Sequence, residues 1–177
     1  ELSKIIKPDL GVITNISYAH IKNFKNISKI AEAKSELIDN IIDNGSIVLN
    51  KDDDFFKFFK NKAIKKKLKI ISFSKKKPAD IQFIKSFKKK SYYSVVVKIQ
   101  NKIKKFLVKK ENLIYLDNLL AALAAISNFI DVDTLNNKLF LNFSIPKGRG
   151  NKINVKIGSK NIKIIDESYN SNPLSLE

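Results

Sequence analysis

Short blocks of nearly unbroken apolar residues alternate, in the first part of the chain, with stretches in which apolar positions recur every three or four residues. Leu10-Gly11-Val12-Ile13-Thr14-Asn15-Ile16 is the first block; Ser46-Ile47-Val48-Leu49-Asn50 and Lys69-Ile70-Ile71-Ser72-Phe73 follow. Runs of this length without alternation predict strands buried on both faces, as in a parallel sheet. Between the first two blocks, Ile27, Ile30, Ala31, Leu37, Ile38 and Ile41 fall on one stripe of a helical wheel. That spacing predicts a helix over Ile27 to Asn44, with Gly45 closing it. Asp52-Asp53-Asp54 then opens a short Phe-rich helix, its acids favoured by the positive end of the helix dipole.

The pattern changes after residue 80. Ile81 to Phe87, Tyr92 to Ile99 and Ile103 to Val108 read as strands joined by turns at Lys88-Lys89-Lys90 and around Asn101, a small antiparallel meander. Helices are predicted over Leu116 to Ile130 and from Asp133 to Phe143. A loop over 144–151 leads to a hairpin turning at Gly158-Ser159-Lys160-Asn161, whose second strand ends at Asp166. The expected fold class is α/β, a mostly parallel sheet flanked by helices with a small antiparallel β meander.

A chain of 177 residues can bury one full core. No apolar run approaches the roughly 20 residues needed to span a bilayer. Cysteine is absent, which removes disulfides and thiolate metal sites and is compatible with a cytoplasmic location. The formal charge of +17 raises nucleic-acid binding as a reading of a different class. Yet the cations are almost all Lys, spread with Ile, Asn and Phe throughout, and the runs at 65–67, 75–77 and 88–90 read as solvated turns. Methionine is absent even at position 1, so the chain reads as a piece of a longer protein. No G-x-x-x-x-G-K-[ST] phosphate loop and no Ser-His-Asp or Cys-His set is present.

Four residues stand out chemically. Lys34 falls in the middle of the apolar stripe, where an ammonium is costly unless paired or chemically altered; the plainer alternative is a lysine snorkelling at the stripe's edge. His20, the only histidine, follows the first strand by a few residues, at the carboxyl end where α/β sheets gather ligands. Arg149, the only arginine, lies between Gly148 and Gly150 and offers the planar fork that suits phosphate. Asp166 closes an apolar strand and could accept from ribose hydroxyls or cap a turn.

These segments, in this order, resemble the Mur ligase family. Lys7 to Ile16 followed by Ala19-His20 resembles its strand-and-histidine motif, and Ala31-Glu32-Ala33-Lys34-Ser35-Glu36 its modified-lysine helix. Val48-Leu49-Asn50 with Asp52-Asp53, then Asn118-Leu119-Leu120-Ala121-Ala122, then Gly148-Arg149 continue the match. Asp166-Glu167-Ser168-Tyr169-Asn170-Ser171-Asn172-Pro173 resembles the branch that adds D-alanyl-D-alanine. Ile114 and Tyr115 depart from the His-Asn that the family often has before the adenine-side Asn.

The resemblance implies His20 as a Mg²⁺ ligand and Lys34 as a carbamate holding a second Mg²⁺. It implies Asn118 facing adenine, Arg149 the phosphates and Asp166 the ribose, with Tyr169 and Asn170 lining the nucleotide side of a hinge. Residues 1–166 would then be a central ATP-binding domain without its phosphate loop, and 167–177 the hinge. The implied reaction is ATP-driven amide formation between UDP-N-acetylmuramoyl-tripeptide and D-alanyl-D-alanine through an acyl phosphate, in a monomeric enzyme with no specific nucleic-acid partner and no membrane span. Isolated residues 1–177 are expected to be inactive. Sister ligases of Mur or folylpolyglutamate type are the nearest alternative.

Overall fold

The computed structural model describes residues 2–17, 24, 26–144, 146–148, 150–166, 168 and 169. Two compact units divide at residue 143.

In the first unit, a short helix α1 (Leu2–Ile6) precedes β1 (Leu10–Ile13), α2 (Ile27–Asn40), β2 (Ser46–Asn50), α3 (Phe56–Lys65) and β3 (Lys69–Ser74). The meander follows as β4 (Ile81–Lys88), β5 (Tyr92–Ile99) and β6 (Lys102–Lys109), then α4 (Leu116–Ile126). All six strands share one sheet in sequence order. β1 to β4 run parallel and β4 to β6 antiparallel. The expected α/β class therefore holds, and the meander extends the main sheet rather than standing apart. β4 joins where β3 ends, through the pairs Phe73↔Ile81 and Ser74↔Gln82.

Helices cover both faces. Ile47 and Leu49 of β2 pack with Ala31, Ile38 and Ile41 from the α2 side and with Phe59 and Ala63 of α3. Val48, Ile71, Phe73, Val95, Val97 and Phe106 pack with Leu119, Leu120, Leu123 and Ala124 of α4. Every residue of β2 is buried, as an unbroken apolar strand between two layers requires. Among the described residues, no helix is long and apolar enough to cross a membrane.

Three local expectations are corrected. The α2 helix stops at Asn40, with Ile41 as an extended C-cap. Asn44, not Gly45, takes the left-handed conformation, at φ 61°. Gly45 serves close approach instead, since a Cβ there would lie 2.4 Å from Ile41 Cγ2 and 2.9 Å from the Asp9 carbonyl oxygen. Second, the triple aspartate does not open α3. Asp53 Oδ1 accepts from the Phe55 N–H in the turn before the helix, and the Phe55 N-cap makes no side-chain cap bond.

Third, the helix expected from Asp133 to Phe143 is only a 3₁₀ turn, Val132–Thr134, followed by further turns. Asp131 caps the 3₁₀ turn by accepting from the Asp133 N–H, whereas Asn136 Oδ1 accepts from the Lys138 N–H inside the span where the helix was expected. Short polar side chains that bond the backbone two residues on compete with a helix ladder.

The second unit is the hairpin β7 (Asn151–Ile157) and β8 (Lys160–Asp166), paired from Asn151↔Asp166 to Ile157↔Lys160. Its turn is the two residues Gly158-Ser159, and Gly158 takes φ 60°, the position where this hairpin type requires glycine.

Candidate functional site

Parallel β1, β2 and β3 deliver their carboxyl ends to one edge of the first unit, where open α/β sheets bind ligands. Beyond β1, the Ile16 N–H donates to Asp53 Oδ2 at 2.7 Å, which ties the segment leading to His20 to the end of β2. Asn50, 8% exposed, accepts from the Asp52 N–H at 2.9 Å. Asp52 in turn reaches the loop after β3, accepting from Ser74 Oγ at 2.8 Å and from the Lys75 N–H at 2.6 Å. Lys75 Nζ then meets Asp117 Oδ2 at 2.6 Å in the first turn of α4. A line of polar contacts thus crosses the whole edge.

Lys34 sits at one end of this line. It is exposed, contrary to its expected place in mid-stripe. The buried line of α2 runs through Ile30, Ala31, Ser35 and Ile38. Among the described residues, β1 is the edge strand of this sheet. Lys34 Nζ donates to the Asn15 carbonyl oxygen at 2.9 Å, just beyond β1. An open groove of about 560 Å³, lined by Val12, Thr14, Lys34, Glu36 and Leu37 among others, runs beside it. The burial penalty inferred from the wheel is therefore absent. His20 lies outside the described residues, and among those described no group of three or more His, Cys, Asp or Glu side chains forms a metal site.

Asn118 is exposed in the first turn of α4. Ile114, four residues earlier, is 73% exposed and brings no polar group to this side. The run 75–77 is more than a solvated turn, because Lys75 pairs with Asp117 and Lys77 Nζ donates to the Lys51 carbonyl oxygen. Lys75 and Asp117 were not singled out in the sequence, and Asp52 was read as a helix-start charge rather than as an anchor for the loop after β3. Their signal was position alone, one or two residues past a predicted strand or at a helix start.

In the second unit, Arg149 and Asn170 lie outside the described residues, but their neighbours are placed. The Gly150 N–H donates to the Asp166 carbonyl oxygen at 2.8 Å, and the Tyr169 N–H to the Gly148 carbonyl oxygen at 2.9 Å. The loop before β7 and the chain after β8 therefore meet at one end of the hairpin. Gly148, at φ 79°, is in close contact here, since a Cβ would lie 2.9 Å from Tyr169 Cβ. Asp166 Oδ1 accepts from the Ser168 N–H at 3.1 Å. The Ser168 hydroxyl, helped by this N–H, holds the Asp166 carboxyl below its ordinary range. Tyr169 is 55% exposed.

Residues 1–126 match the family model described as the Mur ligase middle domain. UDP-N-acetylmuramoyl-tripeptide–D-alanyl-D-alanine ligase of Buchnera aphidicola subsp. Baizongia pistaciae is 26% identical over 98% of this chain, and that of Rickettsia prowazekii 27% identical over 100% of this chain. The chain spans 37% and 39% of those relatives. A crystal structure of MurF from Acinetobacter baumannii superposes over 98% of this chain and 37% of its own, with a TM-score of 0.79 at 25% identity. MurF ligase from Thermotoga maritima in complex with ADP shares the fold, with a TM-score of 0.69 over 98% of this chain and 38% of its own, at 21% identity. The strand order, the helices on both faces and the extent of these matches agree, and the chain belongs to the Mur ligase family, carrying its middle domain.

Proposed function

We propose that the full-length protein carrying this chain joins D-alanyl-D-alanine to UDP-N-acetylmuramoyl-tripeptide at the expense of ATP. Residues 1–166 are its central nucleotide-handling domain and 167–177 its hinge. The observation that carries this reading is the closed turn Asp166, Ser168 and Tyr169 against Gly148. It lies in the segment that resembles this branch rather than its sister ligases, and it presents a carboxylate bonded by Ser168 beside an exposed tyrosine.

In this reading the tripeptide's terminal carboxylate attacks the γ-phosphate of ATP, giving an acyl phosphate and ADP. The amine of D-alanyl-D-alanine then displaces phosphate and forms the amide. Asn118 faces adenine, Asp166 the ribose and Arg149 the phosphates, where a bidentate fork suits the charge; Tyr169 and Asn170 line the hinge. His20 and Lys34, as its carbamate, would hold Mg²⁺, which would supply charge stabilisation to the transferring phosphoryl group. The Lys34 position fits that modification. Its Nζ is exposed at the carboxyl end of β1, and a carbamate nitrogen keeps one N–H with which to hold the Asn15 bond.

The test is phosphate release by the purified full-length protein, with each amine acceptor offered in turn. Release that requires both the tripeptide precursor and D-alanyl-D-alanine is expected. Release with L-alanine or glutamate instead would assign the chain to a sister ligase.

A further inference from the structure

The loop between β3 and β4 carries Lys75, Lys76 and Lys77 in succession, a run that repels itself, yet it is tied down from two sides. Asp52 accepts from Ser74 Oγ at 2.8 Å and from the backbone N–H groups of Lys75 and Lys76 at 2.6 and 3.3 Å. Ser74 Oγ accepts in turn from the N–H groups of Lys76 and Lys77 at 3.0 and 2.6 Å. Thus anchored, Lys75 extends its Nζ to Asp117 Oδ2 at 2.6 Å, in an ion pair whose two side chains are 37% and 39% exposed.

This ion pair reaches the first turn of α4. The N-cap of that helix, Tyr115, makes no side-chain cap bond, and the 3₁₀ segment before it leaves Ile114 in solvent. From these contacts we infer that Lys75 and Asp117 are positioning residues for the nucleotide base. They set the first turn of α4, and with it Asn118, against the carboxyl ends of β2 and β3. The inference rests on the proposed reading of Asn118 as the residue facing adenine.

An Asn amide reads adenine by pairing one acceptor and one donor with the N6 amino group and N7 in a fixed plane. A small rotation of the helix turn misaligns both bonds at once. Guanine places an acceptor where adenine has its amino group, so a loosened turn also discriminates less well between the two. A half-exposed ion pair adds little to global stability. Its effect should appear in nucleotide affinity and base preference rather than in folding.

The experiment uses the full-length protein and compares ATP with GTP in Lys75→Met, Asp117→Ala, Lys75→Arg and the double reversal Lys75→Asp with Asp117→Lys. Each single truncation should raise the KM for ATP about tenfold, the scale of one well-placed hydrogen bond, and lower the preference for ATP over GTP. The kcat, the KM for the peptide substrates and the unfolding midpoint should stay near wild type. Lys75→Arg should retain the wild-type constants, and the double reversal should recover part of the loss. Unchanged KM and base preference in the truncated variants, or a parallel loss of every constant together with the unfolding midpoint, would overturn the positioning role. Lys75→Gln replaces Lys75→Met should the latter not fold. Asn118→Ala is the separate control. If it leaves ATP use intact, the adenine reading itself fails and takes the inference with it.

Discussion

At the carboxyl end of β1, Lys34 presents an exposed ammonium to a backbone carbonyl beside an open groove. Because the side chain is not part of the core, Lys34→Ala should shift stability by no more than about 0.5 kcal/mol, as for other surface positions. The same change should abolish most ATP-dependent phosphate release in the full-length protein, and a small added carboxylate should restore part of it. Wild-type turnover by Lys34→Ala would remove the residue from the chemistry. Asp166 allows a prediction in pH. The Ser168 hydroxyl and N–H lower its carboxyl from the ordinary 3.8. A depressed folded-state value means that its contribution to the turn is fully present above the unfolded value. The contribution is lost as pH falls through the lower, folded value. A carboxyl NMR titration of Asp166 should therefore find its midpoint below 3.8, with the Ser168 amide resonance moving in step. A midpoint above that value would contradict the bonded turn.

Among the elements, the glycines at two junctions set how closely segments approach. In Gly45→Ala the new methyl meets Ile41 Cγ2 at 2.4 Å and two carbonyl oxygens, those of Asp9 and Ile42, at 2.9 Å. Backbone cannot yield cheaply, so a loss of about 1–3 kcal/mol is expected from overpacking of this kind, read by urea denaturation. Gly148→Ala adds a left-handed φ of 79° to a contact with Tyr169. It should open the turn at the end of the β7–β8 hairpin, seen as faster amide exchange at Tyr169, while leaving the sheet of the first unit intact.

The meander shows how lysines are absorbed by local geometry. Lys102 Nζ bonds Asp133 and lies 3.7 Å from Asp131, and Lys104 Nζ lies 3.3 Å from Asp133, which pins the turn after α4 to β6. These pairs join residues about thirty positions apart, so no reading of local sequence could place them. The helix expected at 133–143 failed for a different, local reason. The side chain of Asn136 bonds the Lys138 N–H two residues on, a turn signal that the sequence reading passed over.

At the scale of the first unit, stability rests on apolar layers on both faces of its one sheet. Truncating Leu120 or Ile38, both fully buried on opposite faces, should cost about 2–5 kcal/mol each. Their effects should add, since the sheet separates them. The excess positive charge makes a different expectation. Several lysines that look free in the sequence are engaged by carboxylates or carbonyls, as Lys62 is by Asp39 and Lys66 by the Asp39 carbonyl. Binding to DNA or RNA should remain non-specific, with a Kd on the order of 10⁻⁴–10⁻⁶ M at physiological salt. A sequence-selective nanomolar complex in a salt titration would overturn that expectation.

By itself the sequence determined the strands, the two-sided burial of β2, the hairpin and its turn glycine, and the family. These depend on side-chain periodicity and on short motifs, which are local properties. Tertiary structure decided the rest. Helical spacing placed Lys34 facing inward, but the packing of α2 leaves it exposed, with its Nζ bonded to the Asn15 carbonyl oxygen beyond β1. The three aspartates after β2 looked like helix-start charges, yet two of them bond segments far away in the chain, Asp53 to Ile16 and Asp52 to the loop after β3. Lys75 and Asp117, forty-two positions apart, meet because β3 and α4 pack side by side. Such pairings depend on which strand ends lie together, and strand order is set by the packing of whole layers rather than by any residue's neighbours in sequence.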